Sequence, residues 1–355
     1  MTFRLLFPVI TTTLLAFLPL SASAEAEPDQ SGTNSEIVEN STEDKTGTRP
    51  EDIDQCLLNR LKLGRDETVA EIREHCDPTG EELPKAGAIS HRFFDERRTE
   101  FNPFVITPHR MNYILPVSYT TSINREAYAF SNDWTKDLKD TEAKFQISFK
   151  VPLNYNSMFM DGDGLYFGFT LQSWWQVYAN EISAPFRETN YQPEVFYTTP
   201  LAWKIAGGNT GFVLGIEHQS NGRSQALSRS WNRVYAAMMY ERDHFAMAIR
   251  PWWRLPEDKK TQPGESDGDD NPDIDDYMGH FELTMAHRWD DYVLNFTGRQ
   301  NFSTGNGYAE LGLTFPLWGR LRGYVQYANG YGESLIDYNH HQQRIGVGIA
   351  LTDLL

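Results

Sequence analysis

One segment of the sequence, GFVLGIEHQSNGRSQALSRSWNRVY at residues 211–235, carries side chains whose types and spacing suit ester hydrolysis. His218 and Ser220 are two positions apart, so on a β-strand both side chains point to the same face. An imidazole beside a hydroxyl is the pairing in which a base activates an oxygen nucleophile. After a break at 221–222, a returning antiparallel strand would bring Asn232 beside His218, where its amide oxygen can hold the imidazole tautomer. Ser220 is therefore a candidate nucleophile, His218 its base and Asn232 the orienting residue.

The position of these three residues on their strands decides what they can do. The large apolar residues Phe212, Leu214 and Ile216 share a face with His218 and Ser220, so in a membrane protein this face would meet lipid. A neutral amide suits such a place, because an ionised aspartate facing lipid would be costly. The pattern His-x-Ser is short, however, and by itself it also fits polar residues that merely decorate an interfacial loop.

The sequence after residue 110 predicts the strands that would carry this site. Apolar and polar residues alternate there, which is the pattern of strands with one face of each kind. Clear examples lie at 144–151, 167–177, 280–285, 309–315 and 345–351. Such segments recur about every 20 residues, and about 9–11 of these residues are enough for a tilted strand to cross the membrane. The prediction is an all-β fold, a transmembrane antiparallel β-barrel of about twelve strands.

A soluble β-sandwich shares the alternation, but two further features favour the barrel. The polar face carries Lys, Glu, Gln and Arg, which suit a filled or wet lumen. Tryptophans near the strand ends would form the aromatic girdle of a membrane barrel. The predicted girdle residues are Trp174, Trp203, Trp252, Trp253, Trp289 and Trp318.

The amino terminus predicts export from the cell interior. Residues 1–24 combine Arg4, an apolar stretch and an Ala-Ser-Ala cleavage pattern, as a signal peptide does. A signal peptide followed by a barrel predicts an outer membrane of the Gram-negative type. Residues 25–50 are polar and poor in aromatics, so they predict a flexible acidic linker.

Residues 51–100 predict a small helical extension in the periplasm, so together with the linker they give a partly disordered N-terminal extension that contains a short two-helix unit. Apolar residues fall at helical spacing in two short runs, and Cys56 and Cys76 lie one in each. A disulfide between them fits an oxidising compartment. The alternative, a metal or redox pair, would need a CxxC spacing or further ligands. The barrel domain then covers 101–355.

Composition excludes several function classes. The net charge of -17 disfavours nucleic-acid binding, because phosphate contacts require basic residues. No run of about 20 apolar residues follows the signal peptide, which argues against a helical membrane protein. The acidity is concentrated early in the chain, since residues 25–100 contain 20 acidic and 10 basic residues.

Four longer motifs are more specific than the three-residue pattern. They are HQSNGRSQALSRSWNR, SAPFRETNYQPEVFY, DDNPDIDDYMGHF and YGESLIDYN, beginning at residues 218, 183, 269 and 331. In these motifs the sequence resembles the outer membrane phospholipase A family, and the resemblance extends over roughly residues 105–355. It implies a twelve-stranded barrel and a calcium-dependent enzyme, active as a homodimer. The implied substrates are membrane phospholipids, cleaved at the sn-1 and sn-2 esters, and lysophospholipids.

The resemblance also implies roles for individual residues. The family's nucleophile, base and orienting amide correspond to Ser220, His218 and Asn232. The implied calcium ligands are the Ser228 side chain, the backbone carbonyl of Arg223, and Ser183 supplied by the partner subunit. Calcium held by such oxygens can polarise a carbonyl and stabilise the developing oxyanion.

Two other classes of function and one acidic segment offer alternatives to this prediction. A passive porin or adhesin barrel, or a secreted soluble esterase, would share parts of this pattern. The run at 267–276, DGDDNPDIDD, has Pro272 and Met278 where an EF-hand loop needs Gly and Glu. It therefore predicts a solvated loop.

Overall fold

A computed structural model describes most of the chain from residue 104 onward. The described residues are 104–131, 133–260, 268–319 and 321–353, with isolated positions at 56, 76, 87, 89, 90, 92, 96, 102 and 265. The predicted signal peptide and the predicted linker lie outside the described residues.

The chain divides into two compact units, Met1–Gly80 and Glu81–Leu355. In the first unit the described residues are Cys56 and Cys76, both in helical conformation. A disulfide joins them, with their Cα atoms 5.7 Å apart.

The described part of the second unit is built on one antiparallel sheet of thirteen strands. The strands are β1 (Thr107–Pro108), β2 (Asn112–Thr120), β3 (Thr141–Pro152), β4 (Gly164–Trp175), β5 (Phe186–Ile205), β6 (Gly208–Ser220), β7 (Ser230–Arg242), β8 (Phe245–Arg254), β9 (Phe281–Trp289), β10 (Tyr292–Gln300), β11 (Gly307–Trp318), β12 (Leu321–Gly330) and β13 (Gln342–Thr352). One short α-helix, α1 (Ile274–Met278), lies between β8 and β9. Short 3-10 helices lie at Glu126–Ser131, Asp133–Asp137, Asn180–Ile182 and Gln225–Leu227.

The sheet closes on itself. Each strand from β3 to β13 pairs with its neighbours in sequence, and β2 pairs with both β3 and β13. The two-residue β1 pairs with β3 beyond the end of β2, so twelve strands form the closed wall. The predicted antiparallel barrel of about twelve strands is confirmed. Within the described residues, no helix has both the length and the apolar character needed to span a membrane.

The alternation of the sequence becomes the inner and outer faces of the wall. In β3, Lys144 and Ser148 are buried inside, whereas Ile147 and Val151 are about half exposed on the outside. The same pattern gives β13 an exposed Ile345 beside a buried Arg344. The outer surface is therefore largely apolar, as a barrel in lipid requires.

The predicted aromatic girdle is correct for some tryptophans and wrong for others. Exposed on the outside are Trp203, Trp253, Trp289 and Trp318. Trp174 and Trp252, in contrast, are buried in the lumen, where Lys144 lies over the Trp174 ring and Trp231 meets Trp252 edge-on. The reason is the period of the strand itself, because Trp174 has the same parity as the inward-facing Thr170.

Ion pairs fill the end of the lumen beneath the long loops. Arg187 donates to Glu142 at 3.0 Å and to Asp337 at 2.9 Å, and Arg344 lies 2.9 Å from Glu142. All four side chains are almost completely buried. Asp337 belongs to the loop 331–341, which turns inward and supplies a carboxylate to the strands. Buried charges are tolerated only with such partners, so this loop and the wall depend on each other.

A second ion cluster lies deeper in the lumen. Glu217 accepts from Arg110 at 3.1 Å and from Arg250 at 3.2 Å, and it also contacts Arg233. Arg110 donates in addition to Glu194 at 3.1 Å. A cavity of about 410 Å³ in the lumen is lined in part by Arg110, Glu194, Arg233 and Arg250. Paired charged side chains therefore occupy much of the described lumen.

Residues before the barrel are bound to its wall. The backbone amides of Ile89 and Ser90 donate to the Glu241 carboxylate at 2.8 and 3.0 Å. Glu96 lies 2.7 Å from Lys150. Glu241 is near the end of β7, beside the short turn to β8, so this segment is attached at the end of the barrel opposite the long loops.

Glu333, in the loop between β12 and β13, shows how the lumen responds to pH. Its carboxylate accepts from Lys144 at 2.9 Å and from Arg344 at 2.7 Å. Burial would raise the pKa of Glu333, but Arg344 and Lys144 outweigh it and lower the pKa to about 2. In the unfolded chain a glutamate has a pKa of about 4.3. Its stabilising effect is therefore complete above about pH 4.3 and is lost as the pH falls through about 2.

We expect Glu333→Gln to lower the free energy of unfolding by about 3 kcal/mol at neutral pH, because buried Lys144 would lose its nearest carboxylate and Arg344 would keep only Glu142 as a charged partner. The free energy of unfolding of the variant should also fall less steeply than that of the native protein between about pH 4.3 and 2. Urea unfolding in lipid vesicles, followed by tryptophan fluorescence across pH, measures both effects. Glu181→Gln, which removes an exposed carboxylate 3.3 Å from Lys139, is the control and should change little. Equal unfolding curves for the two variants would contradict the prediction.

Candidate active site

The register of β6 and β7 brings the candidate catalytic residues together. His218 of β6 lies directly opposite Asn232 of β7, and Ser220 lies opposite Ser230. Ile216, two residues before His218, is 60% exposed, while Glu217 is buried in the lumen. His218 and Ser220 are thus on the outer face, near the end of β6. The predicted pairing of His218 with Asn232 across β6 and β7 is observed.

A hydrogen bond fixes the state of the imidazole. His218 Nδ1 lies 2.8 Å from Asn232 Oδ1. An amide oxygen can only accept, so Nδ1 carries the proton and Nε2 has a free lone pair. Within the described part of the chain, no hydrogen bond joins Ser220 Oγ to the ring. Such contacts are often long before substrate is bound, and the hydroxyl is on the same face as the ring, one strand repeat away.

Asn221 organises the loop that follows Ser220. Its buried side chain accepts from the backbone amides of Arg223 at 3.2 Å and Arg229 at 3.0 Å. Its amide nitrogen donates to the carbonyl of Leu227 at 2.8 Å. One side chain therefore closes the whole turn around the 3-10 helix Gln225–Leu227. From the sequence, Asn221 was expected only to end the strand. Its bonding to the backbone of the turn was not predicted, although asparagine often bonds in this way.

Two predicted calcium ligands lie on this loop. Ser228 Oγ donates to Asp270 Oδ2 at 2.6 Å. The Arg223 guanidinium donates to the backbone carbonyls of Phe186 and Arg187 at 2.8 and 2.9 Å, which holds the loop against the start of β5. The backbone carbonyl of Arg223 and the Ser228 hydroxyl thus sit on a segment fixed from both sides.

The described part of the acidic run, 268–276, is not the solvated loop predicted from the sequence. Asp270 accepts from Ser228 and also pairs with Lys260. The run continues into α1, where Ile274 and Met278 are buried. These two residues are four positions apart on one side of the helix, so they form an apolar edge that packs over the barrel mouth. The four-residue spacing of Ile274 and Met278 is present in the sequence, but the aspartates around them indicated an exposed loop.

The available oxygen atoms fit a calcium ion. Hydroxyl, carbonyl and carboxylate oxygens are the ligands that Ca²⁺ prefers. Among the described residues, no three His, Cys, Asp or Glu side chains cluster as a metal site. Any cation here would therefore be held by Ser228, the Arg223 carbonyl, the neighbouring Asp270 charge and further oxygens from outside the loop.

Ser183, the third predicted ligand, lies on a different loop. It follows the 3-10 helix Asn180–Ile182 and has a φ of 62°, in the left-handed region. The residue is exposed. Its hydroxyl is therefore accessible from outside the protomer.

Known sequences resemble this chain over the whole barrel. A family model described as Phospholipase A1 matches residues 89–351. The phospholipase A1 of Escherichia coli strain K12 is 41% identical over 254 residues, which is 71% of this chain and 83% of that protein. The phospholipase A1 of Klebsiella pneumoniae is 40% identical, over 71% of this chain and 84% of that protein.

Solved structures show the same similarity. The outer membrane phospholipase A of Escherichia coli superposes with a TM-score of 0.68 at 39% identity, covering 74% of this chain and 98% of that one. A Salmonella typhi outer membrane phospholipase, a dimer with bound calcium, gives a TM-score of 0.67 at 37% identity with the same coverage. Another Escherichia coli structure is that of an active-site mutant in which an asparagine is replaced by alanine.

Proposed function

The chain belongs to the phospholipase A1 family, and on this premise we propose that Ser220, His218 and Asn232 are its catalytic residues. The protein is a phospholipase of the outer membrane, built as a β-barrel. The observation that carries the proposal is the 2.8 Å contact between His218 Nδ1 and Asn232 Oδ1, beside Ser220 on the outer face. The asparagine mutated in the active site of the Escherichia coli relative supports the role of an amide.

The three residues divide the reaction between them. Ser220 Oγ attacks the carbonyl carbon of an acyl ester while His218 Nε2 accepts the hydroxyl proton. Asn232 accepts from Nδ1 and holds the ring in the tautomer that can do this. The histidine then gives the proton to the departing alcohol oxygen. A water molecule, deprotonated by the same nitrogen, then attacks the acyl carbonyl, and the proton returns from His218 to Ser220 Oγ as the fatty acid leaves.

We further propose that the enzyme depends on calcium held by the Arg223 carbonyl, Ser228, and Ser183 of the partner subunit. Bound there, the ion would polarise the ester carbonyl and favour the negative charge that develops on its oxygen. The loop geometry set by Asn221 and the adjacent Asp270 carboxylate support this assignment. The calcium in the Salmonella typhi dimer supports it as well.

Substrate access favours a homodimer as the active form. His218 and Ser220 are on the open outer wall, so one protomer offers no enclosed cleft for an acyl chain. A second copy placed against this face would enclose the site and could contribute Ser183. Because the site opens to the side, either acyl ester of a phospholipid, or the ester of a lysophospholipid, could reach Ser220.

The two rival functions fit the structure poorly. A passive porin needs a continuous channel, whereas the described lumen is filled by buried ion pairs around a cavity of about 410 Å³. A secreted soluble esterase would not present an apolar belt such as that formed by Ile147, Ile216 and Ile345. Residues 1–24 as an export signal and 25–100 as a periplasmic extension stay proposals that accord with a barrel of the outer membrane.

We expect Ser220→Ala to abolish calcium-stimulated phospholipid hydrolysis while leaving a folded barrel, because the nucleophile is lost and no buried contact changes. Activity on mixed micelles and heat-dependent gel migration measure the two properties. A sulfonyl fluoride should label the native protein at Ser220. Ser224→Ala, which changes an exposed serine of the same loop, is the control. Retained hydrolysis in Ser220→Ala would disprove the assignment.

Chelation of calcium should remove activity, and Ser228→Ala should raise the half-saturating calcium concentration by about tenfold, the scale of one lost ligand contact. The maximal rate at high calcium should recover in large part, because Ser220 and His218 are unchanged. A calcium titration of hydrolysis provides the measurement. An unaltered titration curve in Ser228→Ala would exclude this residue as a ligand.

If each active site takes Ser220 from one chain and Ser183 from the other, two defective chains should complement each other in a mixed dimer. Ser183→Ala and Ser220→Ala dimers should each be impaired, but a mixed dimer has one complete site, with Ser220 from one chain and Ser183 from the other. Equal mixing should therefore restore roughly a quarter of the native rate at limiting calcium, since half the dimers are mixed and each has one of two sites. Chains unfolded and refolded together give the measurement. No recovery above the separate variants would rule out Ser183 as a partner ligand.

A further inference from the structure

Glu257 lies next to the catalytic asparagine. It belongs to the segment that continues β8, and this segment stays beside β7 because the Leu255 amide donates to the Asn232 carbonyl at 2.8 Å. One carboxylate oxygen of Glu257 then accepts from Asn232 Nδ2 at 3.0 Å. On the other side, the carbonyl of Asp258 accepts from the Asp269 amide at 2.8 Å. Glu257 is thus held between two backbone anchors rather than on a free loop.

We propose that Glu257 is a positioning residue that fixes the orientation of the Asn232 amide and, through it, the tautomer of His218. An ionised carboxylate can only accept, so the amide nitrogen must face Glu257 and the amide oxygen must face His218. The inference rests on the catalytic roles proposed for His218 and Asn232, and it adds a fourth member to that chain.

The reversed amide would be inactive. With its nitrogen toward His218, Asn232 would donate to Nδ1, and the ring proton would move to Nε2. A protonated Nε2 cannot accept the Ser220 proton, so that orientation removes the base. An asparagine alone has both orientations available, because its two ends are nearly equal in size. Glu257 removes the unproductive one.

The cations Arg254 and Lys260, close to Glu257 in sequence, are paired with other carboxylates. Arg254 pairs with Asp269, and Lys260 pairs with Asp270. Arg233, next to Asn232 in sequence, points into the lumen and pairs with Glu217. The hydrogen bond from Asn232 to Glu257 therefore joins a neutral donor to a charged acceptor, which is the stronger kind.

The first test compares Glu257→Ala and Glu257→Gln with Asp258→Asn in the full-length dimer at saturating calcium. Removal of the acceptor in Glu257→Ala should lower kcat about tenfold, as for one lost charge-assisted hydrogen bond, with little change in KM. Glu257→Gln should lose less, because its amide can still accept but no longer excludes the reversed orientation. Asp258→Asn removes the same charge from the adjacent, exposed side chain and should retain the native kcat.

The second test uses Asn232→Asp, in which an aspartate carboxylate would face that of Glu257. Repulsion between the two should displace the aspartate from His218, so adding Glu257→Gln to Asn232→Asp should raise kcat about tenfold. A residue that only stabilises the loop would lower activity in both backgrounds. This reversal of sign therefore separates positioning from stability.

The catalytic assignment and the role of Glu257 can fail separately. Activity in Ser220→Ala would refute the catalytic assignment itself. If Ser220→Ala is inactive, two results together would overturn the role of Glu257 alone. They are a kcat of Glu257→Gln equal to that of Asp258→Asn, and no gain in kcat when Glu257→Gln is added to Asn232→Asp. Heat-dependent gel migration checks that each barrel is folded, and the glutamine variant carries the test if Glu257→Ala does not fold. A loss in the native background with a gain in the aspartate background supports the proposal.

Discussion

The structure depends on one constraint, which is that strands in lipid must satisfy their backbone hydrogen bonds with each other. Closure through β2 and β13 leaves no long strand of the wall unpaired. Once the strands pair, side chains alternate strictly between lumen and lipid, and the register between neighbours is fixed. The pairing of His218 with Asn232 is one rung of that ladder. A slip of one residue in β7 would turn Asn232 into the lumen and away from His218.

The same constraint determines the interior. Every second residue of twelve strands must be accommodated in the lumen, and in this chain many of these residues are charged. Carboxylates such as Glu142, Glu217 and Glu333 are each matched by arginine or lysine, so the interior is a network of compensated charges. A barrel filled in this way is a rigid support rather than a channel. Such a support suits the proposed site, in which His218, Ser220 and Asn232 lie on the outside of the wall.

The chemistry occurs where the ordered wall meets the loops. β6 and β7 provide the histidine and the asparagine, and the loops that follow them determine how both are used. Asn221 shapes the turn after Ser220, Asp270 reaches Ser228 from a distant segment, and Glu257 contacts Asn232. Phospholipids are present beside this face in the membrane, and the proposed mechanism adds an activated serine, a cation and a second protomer that forms the cleft.

The sequence alone determined the barrel and the facing positions of His218 and Asn232, because a period of two fixes which side chains share a face and the antiparallel return of the next strand brings these two residues together. The same rule, applied consistently, would have placed Trp174 inside. Only the tertiary structure revealed the burial of α1, the contact of Asp270 with Ser228 and the contact of Glu257 with Asn232. These contacts join loops that are far apart in sequence, and loop conformations have no periodicity from which such distances could be predicted.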